Sequence, residues 1–513
     1  MLKQTLAAAL LLAAPLAQAQ SVTVALNADI RSTNPGVNRD DNTDGVTLNM
    51  VEGLVGYRDN GTVGPLLAEK IDQSADGLTY TFHLRKGVKF HNGATMTSAD
   101  VLWSWQRYMD PKTEWRCIAD FDGRSGLKVT SATAPDPDTF VMVIDKPSAL
   151  FLDSLARTDC GMTAVLNKAS VNADGSWNQP IGTGPFKFGE WKHGEYVTIT
   201  RFDDYASPPG DKVDGYVGNK KPLIKDVKFL VVPDISTAKA GLLSGAIDIA
   251  QILPSDAPEL KASGKVDVLT PASAVKHVLL FQTRDPVLQN VKLRQAIAAS
   301  LDMTQLVAAA SDGLGKPNNA PIPPQSAYFD AVQRTGYTYD PTKAKALLKE
   351  AGYKGEVIKI IANKRLSVPS FPAAVIAQAM MQSVGINAEI EVLEWATQLD
   401  RYNKGSYQMM SFSYSSRMDP ALSFEQFMGP KDKQPRKVWD DPEAEALLDK
   451  ASVLSDPGER QKLFDELYQR QLVATPLIIM FNGIEASAQG KRIQGDPYWE
   501  GKQRLWGVSV KGN

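Results

Sequence analysis

One stretch of the sequence, residues 50–107, constrains the fold more than any other. Within it, residues 78–84 alternate in polarity and are rich in β-branched and aromatic side chains, which predicts a strand. Asn92-Gly93 marks a turn, and Thr97 and Asp100 offer capping side chains at the start of a helix. That helix carries Trp105 on its apolar face. The stretch therefore predicts a strand, a turn and a helix in that order.

The order of the motifs in this stretch is more specific than any single motif. LTYTF at residues 78–82 is followed by LRKGVKFHNG at 84–93 and by ADVLWSW at 99–105. This series closely resembles the family 5 solute-binding proteins, the periplasmic dipeptide-, oligopeptide- and nickel-binding subunits of ABC importers. The resemblance extends along the whole chain. It implies an α/β protein with the large, type II periplasmic-binding-protein fold: two lobes, an extra subdomain in lobe I and a two-strand hinge.

The amino terminus has the pattern of a signal peptide. Lys3 precedes an apolar run at residues 6–16, and Ala17-Gln18-Ala19 fits the small-x-small pattern that signal peptidase cleaves. The apolar run is too short for a permanent membrane anchor. No cysteine comes directly after the cleavage point, so a lipid anchor is not expected. We therefore expect residues 1–19 to be removed near Ala19 and the protein to be free in the periplasm.

Charge and histidine content narrow the range of partners. The chain of 513 residues has 56 basic and 58 acidic residues and a formal net charge of -2, so nothing predicts a nucleic-acid partner. Its 4 histidines are scattered, and no Cys/His spacing suggests a structural metal site. We expect a monomer without a cofactor, whose partners are a small-molecule or peptide ligand and, by the resemblance, an ABC permease in the inner membrane.

The chain has only two cysteines, Cys117 and Cys160. An even number of cysteines in an oxidising compartment favours a disulfide between them. The alternative is a pair of buried thiols that do not react with each other.

The resemblance also implies a division into lobes. Lobe I comprises residues 20–273, with 50–180 as an inserted subdomain, and is completed by residues 482–513. Lobe II comprises residues 274–481. The hinge is expected in two strands at 275–281 and 476–482, because two strands can bend while each lobe keeps its own core.

Several signals within this frame predict local structure. Asp340-Pro341 and Asp456-Pro457 are typical helix starts, and residues 371–384 have helical apolar spacing that stops at Gly385. Gly-Thr-Gly-Pro at 182–185 lacks the lysine and the following hydroxyl residue of a nucleotide-binding loop, so we assign it a structural role.

Residues 395–420 contain the positions that indicate which ligand the protein binds. By the resemblance, peptide binders have one tryptophan at the position of Trp395, a second at that of Tyr414, and three residues later an aspartate that holds the peptide's amino terminus. Counting forward from Trp395 places Arg417 at the aspartate position, whereas counting back from Asp419-Pro420 can place Ser416 there. Neither residue is an anion, so the amino-group anchor is absent. An arginine in a closing cleft would repel an ammonium and bind a carboxylate, phosphate or sulfonate. Alternatively, Arg417 is a structural arginine paired with Asp419 or with another residue of its lobe.

Other candidate contacts follow from the same resemblance. Lys364 and Arg365 fall near the position where peptide binders hold the ligand carboxylate. Trp115 and Arg116 match a segment that supplies an aromatic side chain to the ligand, although Trp115 can equally pack within its own lobe. Arg31 follows the first strand, in a loop that approaches the cleft in the family, or it is a solvated surface arginine.

We therefore expect a solute-binding protein that captures a small organic ligand with an acidic group, or a modified peptide, and delivers it to the permease. A plain dipeptide or oligopeptide, with an acid such as Asp419 holding its amino group, is the first alternative; a metal chelate is the second. Two alternative functions belong to other classes of protein: a binding protein that presents its ligand to a chemoreceptor, and a periplasmic hydrolase. No Ser/His/Asp or Cys/His set supports an enzyme, although carboxylate pairs stay open.

Overall fold

The computed structural model describes residues 21–38, 40–365 and 368–511, so the predicted signal peptide at 1–19 lies outside the described residues. The chain divides into two compact units. Unit 1 contains the residues up to Leu269 and those from Ala486 onward, and unit 2 is Thr270–Glu485. The chain thus passes between the units twice. The lobe boundaries and the subdomain at 50–180 stay predictions.

Unit 1 is built on a seven-stranded sheet in the order β14-β20-β13-β1-β12-β9-β8, and a four-stranded sheet in the order β4-β5-β7-β6 lies in the same unit. Two-stranded sheets pair β2 with β3, β10 with β11, β21 with β24 and β22 with β23. Its strands are β1 Ser21–Leu26, β2 Val55–Tyr57, β3 Val63–Pro65, β4 Ala68–Gln73, β5 Thr79–Leu84, β6 Val129–Asp136, β7 Thr139–Ile144, β8 Phe186–Lys192, β9 Tyr196–Arg201, β10 Val213–Asp214, β11 Val217–Gly218, β12 Asp226–Val231, β13 Ile249–Gln251, β14 Val266–Leu269, β20 Ser487–Gly490, β21 Ile493–Gln494, β22 Tyr498–Trp499, β23 Lys502–Gln503 and β24 Ser509–Val510.

The helices of unit 1 pack around these sheets. They are α1 Asp41–Thr47, α2 Ser98–Met109, α3 Phe151–Ala156, α4 Ile235–Ser244 and α5 Ala257–Ser263. The strand predicted at 78–84 is β5, and the capped helix after it is α2. Thr97 and Asp100 form a capping box, and Trp105 is buried on the inner face of α2.

The Gly-Thr-Gly-Pro segment has a structural role in this unit. A Cβ at Gly182 would lie 2.3 Å from the carbonyl oxygen of Met50, and one at Gly184 would lie 2.5 Å from its carbonyl carbon. Glycine is required at both positions because the two backbones lie in contact.

Unit 2 contains a five-stranded sheet in the order β17-β16-β18-β15-β19. Its strands are β15 Ala272–Phe281, β16 Ile358–Ala362, β17 Ala388–Val392, β18 Met409–Tyr414 and β19 Leu477–Ile484. Its helices are α6 Val291–Ser300, α7 Met303–Ala310, α8 Pro341–Glu350, α9 Ser370–Ser383, α10 Trp395–Lys404, α11 Pro420–Glu425, α12 Pro442–Val453 and α13 Pro457–Ala474. The strands predicted at 275–281 and 476–482 are β15 and β19, which pair antiparallel within unit 2, and their role as a hinge stays a prediction.

Helix starts in unit 2 follow a simple rule. Four of them, α8, α11, α12 and α13, begin with Asp-Pro, and in each the aspartate side chain accepts a hydrogen bond from a backbone N–H of the first turn. Proline supplies the helical φ at a position whose N–H has no partner in the helix, and such a cap contributes about 1 kcal/mol. The four caps are Asp340, Asp419, Asp441 and Asp456.

Candidate ligand-binding site

Six of the predicted contact residues lie at one edge of the unit 2 sheet. β16 runs parallel to both β17 and β18, so the carboxyl ends of these strands meet at the same edge. In open α/β sheets, ligands bind outside this edge. The loops after β16 and β17 and the end of β18 carry the residues that we call the carboxyl-end cluster: Lys364, Arg365, Trp395, Tyr414, Ser416 and Arg417.

Arg365 and Trp395 are in direct contact. The Cζ of Arg365 lies 3.9 Å from the centroid of the Trp395 ring, a cation–π arrangement. Oδ1 of Asn363 accepts from the backbone N–H of Arg365 at 3.2 Å and helps to orient that residue. Lys364 is placed differently, with its Nζ 4.7 Å from the ring centroid of Phe371. Both basic side chains are exposed, so their charges remain accessible from solvent.

An aromatic layer lies beneath this contact. The half-buried Trp395 ring stacks on Phe412 with centroids 5.8 Å apart and an interplanar angle of 27°. Phe412 in turn stacks on Tyr402 at 4.4 Å and meets Tyr414 edge-on at 5.4 Å. The layer gives Trp395 a rigid support, and the residue stays partly exposed.

Tyr414 is more enclosed than the sequence predicts. Only 5 % of its surface is exposed, and its hydroxyl lies 3.5 Å from that of Tyr402. Burial raises the pKa of Tyr414 well above its usual value, so the phenol is neutral at physiological pH. This position favours packing within unit 2, and ligand contact by Tyr414 stays a prediction.

Arg417 lies in the loop after β18, with its guanidinium held by neighbouring groups. Nη1 of Arg417 donates to the carbonyl of Ser416 at 2.7 Å and to Oγ of Ser415 at 3.2 Å. The side chain of Ser416 turns to the thioether of Met418, with Oγ 3.7 Å from Sδ. These two acceptors are neutral, and the residue is half-buried.

Asp419 forms a salt bridge with Arg460 and not with Arg417. Arg460 forms a two-pronged salt bridge with it, and Oδ1 of Asp419 also accepts from the backbone N–H of Ala421 to cap α11. Asp419 is 5 % exposed. Because Arg460 balances its charge and it is buried, this carboxylate is a poor partner for a ligand's amino group.

Two further cations lie beside the cluster, and sequence reasoning did not find them. Lys276 pairs in register with Tyr414 and is fully buried, and its Nζ donates to Oγ of Ser423, which donates to the carbonyl of Arg417 at 3.2 Å. Arg436 is half-buried, with Nη1 3.4 Å from the hydroxyl of Tyr402. A lysine inside the apolar segment 275–281 was the available signal for Lys276. Nothing in the sequence indicated Arg436, because it reaches the cluster from a distant loop.

The predicted contacts in unit 1 lie around one loop. Arg116 donates its backbone N–H to the carbonyl of Gly36 at 3.1 Å, and its guanidinium pairs with Asp159 at 3.2 Å. Arg31 lies earlier in the same loop as Gly36, and its side chain is exposed. The roles of Arg31 and Arg116 as ligand contacts stay predictions.

Trp115 is enclosed within unit 1. It is 2 % exposed, its Nε1 donates to the carbonyl of Cys160 at 3.0 Å, and its ring stacks on Phe121 at 5.5 Å. These contacts favour the packing role over ligand contact.

The predicted disulfide between Cys117 and Cys160 is confirmed, with the Cα atoms 5.8 Å apart. Within residues 21–38, 40–365 and 368–511, one group of possible metal ligands occurs, formed by the two cysteines and Asp120. Both sulfurs are in the disulfide, so neither is a thiolate ligand.

Comparison with known proteins shows the family to which the chain belongs. Residues 62–435 match the profile described as bacterial extracellular solute-binding proteins, family 5 Middle. The chain is 31 % identical over 478 residues to di/tripeptide-binding protein 4 of Pseudomonas aeruginosa (strain UCBPP-PA14), covering 85 % of each chain. These matches agree with the family that the motifs at 78–105 resemble.

Solved structures agree on the fold. HbpA2 from Haemophilus parasuis superimposes with a TM-score of 0.82 at 26 % identity, covering 96 % of this chain and 100 % of that one. AgaA, solved in complex with agropinic acid and attributed to A. tumefacien R10, superimposes with a TM-score of 0.68 at 26 % identity, covering 96 % of this chain and 99 % of that one. The predicted two-lobed α/β periplasmic-binding-protein fold is thereby confirmed.

Among the described residues, no helix combines the length and the apolar character needed to cross a membrane.

The relatives are binding proteins of ABC importers, whose role is to bind a small ligand or peptide and deliver it to a permease. The chain belongs to family 5 of the bacterial extracellular solute-binding proteins.

Proposed function

We propose that this protein captures a small organic ligand carrying an acidic group and that Arg417 is the principal partner of that group. The observation that carries the proposal is the residue at this position: by the family resemblance, peptide binders have an aspartate here that holds the ligand's ammonium. A guanidinium reverses the sign of the preferred ligand charge.

The surroundings of Arg417 support this preference. Lys364 and Arg365 lie at the same edge of the sheet, and Lys276 and Arg436 lie beside it. The nearby Asp419 is neutralised by Arg460. A charge-assisted hydrogen bond from arginine to carboxylate contributes roughly 1.5–3 kcal/mol to binding, whereas an ammonium in the same place would be repelled.

One solved relative also favours an acidic ligand. AgaA binds agropinic acid in its structure, at 26 % identity to this chain. Trp395, held on its aromatic layer, and the Arg365 guanidinium that lies over its ring would together contact the organic part of such a ligand.

A second candidate is a peptide. The relative from Pseudomonas aeruginosa is named for di- and tripeptides and is 31 % identical to this chain. This candidate needs another acid for the amino group, and the salt bridge of Asp419 to Arg460 argues against Asp419 in that role.

The remaining parts of the proposal follow the family. The protein acts in the periplasm as a monomer after cleavage near Ala19, closes by bending at its two crossover strands, and performs no chemistry on its ligand. Turnover of a bound ligand would contradict the last point, and loss of uptake after deletion of the neighbouring permease would distinguish transport from chemoreception.

The decisive experiment is to identify the ligand directly. Protein purified without dialysis is denatured, and the released small molecules are identified by mass spectrometry. Candidate acids and unmodified dipeptides are then compared by thermal shift, where a ligand at a hundredfold its Kd adds roughly 2.7 kcal/mol to stability. We expect an acid to be released and acids to raise the melting temperature. Release of plain dipeptides, with no response to acids, would overturn the proposal.

A further inference from the structure

A second groove of unit 2 lies at the amino ends of β16 and β18 and extends along the sheet to Ile361 and Glu391. It is open, has a volume of about 950 Å³ and is lined by residues of unit 2 alone. Lys359 lies near the start of β16, Gln408 directly precedes β18, and Gln282 directly follows β15, which is antiparallel to β18. The residues that line the groove include none of the carboxyl-end cluster, and Gln408 before β18 lies roughly 20 Å along that strand from Tyr414. We call it the amino-end groove.

A network of hydrogen bonds fixes the floor of the amino-end groove. Nε2 of Gln282 donates to the carbonyl of Gly405 at 2.7 Å, and its backbone N–H donates to the carbonyl of Gln408 at 2.8 Å. Oε1 of Gln408 accepts from the backbone N–H of Lys359 at 2.9 Å. The groove is therefore formed by fixed elements of the sheet and of the end of α10, and not by a chance arrangement of surface side chains.

Lys431 is a buried cation in this floor. The residue is 4 % exposed, and its Nζ donates to Oε1 of Gln282 and, at 3.3 Å, to Oγ1 of Thr283. Both acceptors are neutral. An ammonium has three N–H donors, so one remains for a group in the groove that Lys431 lines. A buried charge with only neutral partners is costly, and an anion would offset that cost.

Most other charges of the groove are already paired. Arg284 forms salt bridges of 2.6 Å with both Asp432 and Asp440. Asp440 is also the carboxylate that accepts from the backbone N–H of Lys431, at 3.3 Å. In the last turn of α10, Arg401 pairs with Glu391 at 3.8 Å and Lys404 pairs with Asp400 at 2.9 Å.

Of the charged side chains that line the groove, these pairs leave Lys359, Lys431 and Asp285, and Asp285 accepts from the backbone N–H groups of Val287 and Leu288. Within the described parts of the chain, no carboxylate lies within salt-bridge distance of the Nζ of Lys359 or Lys431. Lys359 is exposed at the rim, and Lys431 is buried in the floor. Because both lysines line the same groove, their charges favour a small anion with several oxygen acceptors there.

We propose that the amino-end groove is a second binding site, for a small anion with several oxygen acceptors, anchored by Lys431 and assisted by Lys359. The site is separate from the one at Arg417 and does not depend on the ligand proposed there. Inorganic phosphate and citrate are the two probes, because they share this chemistry and differ in being a phosphate or a polycarboxylate.

The test is isothermal titration of the intact protein with each probe separately, at constant ionic strength. We expect saturable binding of at least one probe to one site. Lys431→Met should weaken it tenfold or more, and Lys359→Met severalfold. Lys433→Met is the matched control, because Lys433 is an exposed lysine of the same loop that does not line the groove, and it should bind as the parent protein does.

A further variant separates the two sites. Arg417→Asp should leave the titration unchanged, and loss of probe binding in that variant would overturn the proposal. The proposal would also be overturned if neither probe showed saturable binding, or if a folded Lys431→Met protein bound the probe as tightly as the parent does. If Lys431→Met does not fold, Lys359→Met decides, because that side chain is exposed and its loss does not disturb the core: binding equal to the parent's contradicts the proposal.

Discussion

Arg460 binds Asp419 through both of its terminal nitrogens, with Nη1 2.8 Å from Oδ2 and Nη2 2.8 Å from Oδ1. The two side chains are 6 % and 5 % exposed, so the pair is shielded from solvent. Attraction to Asp419 raises the pKa of Arg460 further above its usual value although burial opposes it, so the guanidinium remains charged. The pair joins the loop of Arg417 to α13.

Asp419→Asn should therefore destabilise the protein without changing its choice of ligand. Removing one partner of a buried pair leaves the other charge uncompensated, which costs about 3–5 kcal/mol. Urea unfolding measures the loss. The exposed Asp400, paired with Lys404 on α10, provides the control, and Asp400→Asn should cost less than about 1 kcal/mol. Equal effects of the two substitutions would contradict the structural role given to Asp419.

Glu52 and Lys220 form a second buried pair, in unit 1. Nζ of Lys220 lies 2.8 Å from Oε1 of Glu52, and both side chains are fully buried. Tyr205 and Thr183 donate to the two oxygens of Glu52 at 2.7 and 3.0 Å. Lys220→Met should cost about 3–5 kcal/mol, and adding Glu52→Gln should recover part of that loss because no unpaired charge remains.

A double-mutant cycle in urea tests this coupling. The exposed pair of Lys292 and Glu350, with side chains 49 % and 52 % exposed, is the reference and should show a coupling below about 1 kcal/mol. Strictly additive effects of the substitutions at Glu52 and Lys220 would be evidence against the buried pair.

Asp44 should make stability depend on pH. Burial, only partly offset by attraction to Lys502, raises the pKa of its carboxyl from 3.8 to about 7. The native state therefore binds more protons than the unfolded state between these values, and the stability contributed by protonated Asp44 is present below pH 3.8 and lost as the pH rises through 7. The shift corresponds to a loss on the order of 4 kcal/mol.

Asp44→Asn removes the titrating group and keeps its shape. The difference in unfolding free energy between the parent protein and this variant should change with pH across the window from 3.8 to about 7, the variant gaining relative to the parent as the pH rises. Urea unfolding at several pH values measures it. A difference that is constant over the window would show that Asp44 is ionised in the folded protein.

The disulfide closes a loop with a sequence separation of 43 residues. On the chain-entropy model, a loop of that length stabilises the fold by about 4 kcal/mol. We expect the Cys117→Ser, Cys160→Ser protein to lose stability of that order in urea. Dithiothreitol should lower the stability of the parent by a similar amount and leave the serine variant unchanged. Loss in the serine variant of less than about 1 kcal/mol would contradict the expectation.

Local signals in the sequence predicted much of the framework. Asp340-Pro341 and Asp456-Pro457 predicted helix starts because cap and proline act within one turn, and residues 275–281 were apolar enough to be assigned as a strand. Pairings between distant residues could not be predicted in this way. The sequence suggests Asp419 as a partner of Arg417 or of a ligand, whereas its partner in the structure, Arg460, lies 41 positions further along the chain.

For the candidate site, the sequence predicts which residues contact the ligand, whereas the structure shows which of these residues touch each other and which are buried. The family motifs placed Trp395 and Arg365 near the ligand, but only the structure brings the two side chains into contact, because that contact depends on the parallel pairing of β16 with β17. Burial of Tyr414 and Trp115 was equally beyond sequence reasoning, since aromatic side chains suit both a core and a ligand wall.

We propose that the cation at Arg417 selects an acidic ligand. Isothermal titration of the parent protein and of Arg417→Asp, each with the acid released from the native protein and with an unmodified dipeptide, tests it most directly, with Arg334→Asp as an exposed control in the same unit. We predict that Arg417→Asp loses the acid by at least a hundredfold and that Arg334→Asp retains it. Unchanged affinity of Arg417→Asp for the acid would contradict the claim and assign Arg417 to structure.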